Sequence, residues 1–176
     1  SHNSDDKPLV LVKNTYTSSV ATATQIFIFT KPTHHLFSIT CGELEALELS
    51  VHDARIYSDQ LGMVLYNFSV LNLDGSTLEG YQLRLKTIEQ HLQAALLKGR
   101  QKPKLVKRRT PRQKKSFRIA TKTNLYTDVR QNVSILEVAS RDRPGLLAKI
   151  AIIFEENEVI LKAAKIQTLG ERVEDV

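Results

Sequence analysis

The chain has 176 residues, 41% hydrophobic and 25% charged, a composition that excludes wholesale disorder. No apolar run reaches the roughly 18 residues of a membrane span, and the opening SHNSDDKPLV lacks the basic start and apolar stretch of a signal peptide. The net charge of +6 invites a nucleic-acid reading until its position is known, while the single Cys41 excludes an internal disulfide and a thiolate metal site and fits a reducing, cytoplasmic compartment.

Residues 1–20 read as an N-terminal extension leading into a first domain over 21–127. Gln25–Thr30, QIFIFT, is a β-branched and aromatic run stopped by Lys31 and Pro32, which predicts a strand. From His34 to Leu49, Leu36, Phe37, Cys41, Leu44 and Leu47 recur at helical spacing among glutamates, so an amphipathic helix is expected. Ser50–Ser58 returns to extended character and Met63–Leu71 is apolar on both faces; with Gly62 between them they predict a hairpin. Asp74 and Gly75 break the chain, Ser76 and Glu79 have capping-box spacing, and Tyr81, Leu85, Ile88, Leu92 and Leu96 mark a second helix. Residues 98–115 hold 10 of the 25 Lys and Arg and no acid, so outside them 15 basic side chains meet 19 acidic ones. The basicity is local. With Gly99, Pro103 and Pro111 this segment reads as an exposed loop, and no aromatic is interleaved for base stacking. Ser116–Lys122 predicts a further strand.

Strand, helix, strand, strand, helix, strand is the order of a ferredoxin-like βαββαβ unit, an α+β fold with both helices on one face of an antiparallel sheet. Sliding the sequence by 110 positions lays Leu36 on Leu146, Glu45 on Glu155, Glu48 on Glu158, Ala54 on Ala164 and Ile56 on Ile166. VSILEVAS, GLLAKIAIIFEEN and VILKAAKIQT then repeat strand, helix and strand, with Leu146, Leu147, Ile150, Ile153 and Phe154 turned inward, in a second module over 128–176. The chain ends where that module's third strand should begin. A truncated second module is therefore expected, in a fragment of something longer whose apolar edge pairs with another module or chain.

Ser140–Ile150, SRDRPGLLAKI, is the most informative stretch. Pro144 suits a first helical turn, Gly145 permits close approach, and the helix N-terminus beyond offers N–H groups and a positive dipole end to a carboxylate. Asp142 complements an ammonium group, so the stretch suits an amino acid's zwitterionic head. The same residues equally suit a plain helix start, with Asp142 as cap and Gly145 as packing.

In its strand-helix-strand setting, that turn resembles the ACT family of small-molecule-sensing domains. LSVHDARIYS at Leu49–Ser58, AKIQTLGERVEDV at Ala164–Val176, the basic loop and the leading DDKPLVL together look like the C-terminal region of the bacterial bifunctional protein-PII uridylyltransferase/uridylyl-removing enzymes, from about Asp5 onward. The resemblance implies a tandem ACT region that senses glutamine in nitrogen control. Such parents add uridylyl groups to a PII signalling protein when glutamine is scarce and remove them when it is plentiful. Their nucleotidyltransferase and HD-type hydrolase domains lie upstream. No catalytic residue, metal site or cofactor is expected in this region, with magnesium (Mg) expected for the parent. The ligand loop maps onto Asp142, Arg143, Gly145 and Leu146 of the second copy. The first copy departs from it, with His34 and His35 where the second has Pro144 and Gly145, so its matching residues are His35 and Leu36. His52 and Asp53 are its polar candidates at the start of the next strand.

Two other readings have physical content. An adjacent His52-Asp53 pair also marks metal-dependent HD phosphohydrolases, but such sites need further ligands on a helical scaffold, and this pair falls on a predicted strand. An RNA-recognition module shares the strand order, and Phe27, Phe29, Tyr66 and Phe68 would be its stacking aromatics with the basic loop on phosphates. GMVLYNFSV lacks that module's third-strand signature, and the first 97 residues carry 10 acidic against 6 basic side chains.

Overall fold

The computed structural model describes residues 7–17, 20–33, 35–98, 120–140 and 145–165. Its elements are β1 (Leu9–Thr17), β2 (Val20–Thr30), α1 (Leu36–Ala46), β3 (Leu49–Ser58), β4 (Val64–Asn72), α2 (Gln82–Lys98), β5 (Lys122–Asp128), β6 (Val133–Ala139), α3 (Leu146–Glu156) and β7 (Ala163–Lys165). A five-stranded sheet runs β1-β2-β4-β3-β7 with every neighbour antiparallel, and β5 and β6 form a separate hairpin. This is the α+β, ferredoxin-like order expected. Alternation on β2 sends Thr24, Ile26, Ile28 and Thr30 to the helical face, where Phe68 and Val70 of β4 join them in the core. Phe68 stacks at 5.9 Å on Phe37 of α1 and at 6.0 Å on Tyr66.

Several expectations need correction. Of the strand expected over Ser116–Lys122, only residues 120–122 are described, and none of these joins the first sheet. Ser116–Ile119 lie outside the described residues, and Lys122 opens β5, which pairs with β6. The place beside β2 is taken by β1, which falls within the stretch expected to be an extension. α2 closes the outer side of β1: Val12 N–H donates to Glu89 at 3.2 Å, and Gln93 donates to the Pro8 carbonyl at 3.1 Å. The expected boundary after 127 accordingly falls inside β5.

Ser76 does not cap α2. Its N–H and hydroxyl both donate to Asp74, at 2.9 and 2.6 Å, so it belongs to an Asx turn, and the helix starts only at Gln82. Tyr81 is consequently exposed, while Leu85, Ile88, Leu92 and Leu96 are buried as expected. Of VILKAAKIQT, Ala163–Lys165 pair among the described residues and 159–162 precede the strand, although Ile56 N–H also reaches the Lys162 carbonyl at 3.2 Å; 166–168 lie outside the described residues.

The inward face of α3 also differs. Its buried residues are Ala148 and Ala151, whereas Ile153 is 55% exposed and Leu146, Leu147, Ile150 and Phe154 are partly buried. The reason is its partner. α3 lies along α1, and a stripe of small side chains lets the two helices approach closely. α1 is thus enclosed by the sheet on one side and α3 on the other, which buries even Ser38, Thr40 and Gly42.

The repeat is geometric as well as sequential. α1 and α3 each have 11 residues at the 110-residue offset. The residues before them, His35 and Gly145, are both left-handed, with φ of 66° and 77°, and so are Glu48 and Glu158 after them, with φ of 63° and 56°. Where the two repeats meet edge to edge, Ala54 pairs with its own equivalent Ala164, flanked by Asp53↔Lys165 and Arg55↔Ala163. Only a two-fold axis through Ala54 and Ala164 gives that register, so the interface is isologous within one chain.

Candidate functional site

Across this axis the start of each helix faces the end of the other. A left-handed residue turns each chain abruptly from strand to helix, and neither His35 nor Gly145 supplies a side-chain cap. The first N–H groups and the positive end of each dipole are therefore left to an outside acceptor. The other repeat provides one. Glu155, near the end of α3, accepts from Ser38 N–H at 3.0 Å, from the Ser38 hydroxyl at 2.5 Å and meets His35 Nδ1 at 2.9 Å. Its equivalent Glu45, near the end of α1, accepts from Gly145 N–H. Each carboxylate sits badly at the negative end of its own helix and well at the positive end of its neighbour's. The two sides are unequal because the positions matching Ser38 and His35 are Ala148 and Gly145, which have no side-chain donor.

This arrangement locates the expected site residues. Gly145 is the left-handed start of α3 and Leu146 its first helical residue, half-buried; His35 and Leu36 hold the equivalent places on α1, with Leu36 buried. Asp142 and Arg143, with Pro144 between them and Gly145, lie outside the described residues, as does His34. The N–H of Gly145 itself is taken by Glu45. His52 is the extra residue of a bulge in β3 between Val51 and Asp53, and bulges re-aim side chains. Asp53 pairs with Arg55 at 3.2 Å, not with a helix start.

A buried group and a partly buried one near this interface are held neutral. Burial pushes the Cys41 thiol far above its ordinary range, with Glu155 and Glu45 adding to the effect. Burial, then Glu155, raises Tyr66 to about 12. Neither is poised for acid–base or nucleophilic work.

The RNA-recognition reading does not survive the β2–β4 register. Phe68 lies opposite Ile26 and Tyr66 opposite Ile28, on the helical face, whereas Phe27 and Phe29 oppose Asn67 and Leu65 on the other. The four aromatics therefore form no common stacking platform, and three of them serve other contacts: Tyr66 and Phe68 flank Phe37, and Lys13 lies 5.2 Å over the Phe27 ring. Of the basic loop only Lys98 is described, as the last residue of α2. Among the described residues no cluster of three His, Cys, Asp or Glu is placed to hold a metal. His91 is bonded to Glu43 at 2.7 Å, joining α2 to α1. Two open surface hollows, about 680 and 450 Å³, border the start of α2 and contain none of the expected site residues.

Sequence reasoning missed Glu45, Glu155 and Ser38 as site residues. The signal for the glutamates was present, because they superpose under the 110-residue shift at the ends of amphipathic helices. What it lacked was the antiparallel docking that carries each glutamate to the other helix's start.

Curated relatives cover nearly the whole chain. It is 41% identical over 175 residues to a bifunctional uridylyltransferase/uridylyl-removing enzyme of Ectopseudomonas mendocina, and likewise to one of Azotobacter vinelandii, which covers 99% of this chain and 20% of each relative. An enzyme of the same name from Pseudomonas syringae pv. syringae is 40% identical over 172 residues, 98% of this chain and 19% of its own length. The chain thus spans about a fifth of the relatives it matches. No family model matches it, and no solved structure does so significantly.

Proposed function

We propose that the chain is the regulatory, glutamine-sensing ACT pair of a protein-PII uridylyltransferase/uridylyl-removing enzyme acting in bacterial nitrogen control in the cytoplasm. The observation that carries the reading is the internal two-fold, which sets two helix starts, each preceded by a left-handed residue, against each other's glutamate. The names and near-complete coverage of the relatives support the choice of parent. No helix among the described residues is long and apolar enough to cross a membrane, which fits a cytoplasmic setting.

In this reading free glutamine binds between the repeats. Its carboxylate takes over the Gly145 N–H held by Glu45, and its ammonium group lies near Asp142. Occupancy weakens one clasp and shifts the parent between two arrangements, to the extent that one binds glutamine better than the other. Nucleotidyl transfer to PII, assisted by magnesium, and uridylyl removal belong to other parts of the parent. Calorimetry with L-glutamine, on the chain and on the full-length enzyme that carries it, tests this. Saturable heat that disappears in Asp142→Ala is expected. Equal heats in both remove Asp142 from the site, and no heat on the full-length enzyme removes glutamine as its ligand.

A further inference from the structure

The five-stranded sheet has a second face that none of the described helices covers. Across β1, β2, β4 and β3 the register lines up three rows on it: Leu9, Phe29, Leu65 and Tyr57; then Leu11, Phe27, Asn67 and Arg55; then Lys13, Gln25, Ser69 and Asp53. The first row is wholly apolar apart from one phenol, yet Leu9, Phe29 and Tyr57 are 63%, 39% and 51% exposed. The third row carries a cation at its β1 end and an anion at its β3 end. In the middle row the Asn67 side-chain oxygen is shielded from solvent without a hydrogen-bond partner. Contiguous apolar surface of this kind marks an interaction site.

We propose that this face is a contact surface between two copies of the chain, stacked sheet on sheet about a two-fold axis parallel to the strands. That axis reverses strand order and keeps row order. Leu9 then lies over Tyr57 of the second copy, Phe29 over Leu65, and Lys13 over Asp53, so apolar meets apolar in the first row and cation meets anion in the third, while the middle row sets Leu11 against the Arg55 stem and Phe27 against Asn67. The perpendicular two-fold sets the apolar row on the polar one, with Tyr57 over Asp53 and Phe29 over Gln25, and is disfavoured by desolvation. Aligned sheet stacking is a common geometry for two such faces. Association by strand addition is hindered at the β1 edge, where Glu89 and Gln93 of α2 take backbone groups of Val12 and Pro8.

Sedimentation equilibrium on the chain tests the proposal separately from any glutamine response. A monomer–dimer equilibrium is expected, abolished by Phe29→Glu. Lys13→Asp should weaken it about 10-fold, and Lys13→Asp with Asp53→Lys should restore it. Circular dichroism checks that each variant folds, and the charge-swapped pair keeps the test valid should Phe29→Glu fail to fold. A monomer up to millimolar concentration overturns the proposal and leaves the face to another partner, such as the rest of a longer chain. A dimer that the charge swap fails to rescue also overturns it.

Discussion

Glu155 and Ser38, 117 positions apart, meet through both carboxylate oxygens: Oε1 takes the Ser38 N–H at 3.0 Å and Oε2 its hydroxyl at 2.5 Å. The contact belongs to the closure of one repeat on the other rather than to the core of either. Hydrogen bonds to a charged group contribute about 1.5–3 kcal/mol each, less where water reaches them. A double-mutant cycle between Glu155→Ala and Ser38→Ala, read by urea unfolding, is expected to give a coupling above about 1 kcal/mol. A value near zero would show that the repeats dock without this clasp.

Gly145 is left-handed at φ 77°, where an added Cβ is unfavourable by about 1–2 kcal/mol. Gly145→Ala should lower stability by about that amount. Glu158→Gly should act in the opposite direction, because its φ of 56° already imposes the strain on a residue with a Cβ. Thermal midpoints moving in opposite senses for the two variants are the expected result.

Phe68 is fully buried and packs on both Phe37 and Tyr66. Phe68→Ala should cost about 3–5 kcal/mol, with Phe68→Leu retaining most of the stability. Chemical denaturation midpoints for both variants check this. A small loss for the alanine would mean that α1 can collapse onto the sheet.

Cys41 and Tyr66 are both weak acids whose ionisation the fold opposes, Tyr66 being raised to about 12. Their protonated forms are favoured in the native state, so the associated stability is complete below the unfolded groups' ordinary values and is lost as pH rises above them. Thiol ionisation in the unfolded chain begins near pH 8.5, so stability should fall above about that pH, by roughly 1.4 kcal/mol per unit while Cys41 alone contributes. Cys41→Ala should flatten the slope between about pH 8.5 and pH 10, leaving the tyrosine's share beyond. The native thiol should also react with disulfide reagents only through unfolding.

If glutamine's carboxylate takes the Gly145 N–H, it competes with Glu45. Glu45→Ala is then expected to bind glutamine several-fold tighter in calorimetry, because the ligand no longer displaces an internal carboxylate. Weaker binding would instead make Glu45 part of the site.

Periodicity and repeat made much of this protein legible in sequence. β2, α1, β3, β4, α2 and α3 follow from local alternation and three-four spacing, and the 110-residue shift paired Glu45 with Glu155 before their contacts were known. Docking decided the rest. Local pattern carries no information about which strand takes the sheet edge beside β2; β1 holds it, with side chains from α2 along its outer side. The inward face of α3 was misread because hydrophobicity predicts what is buried against an average core, whereas close approach to α1 selected Ala148 and Ala151. Likewise the split of Phe27 and Phe29 from Tyr66 and Phe68 is a matter of inter-strand register, which no single strand encodes. Sequence determined the elements and their duplication through short-range sterics and burial, and tertiary structure alone set the two-fold that places each glutamate on the other helix.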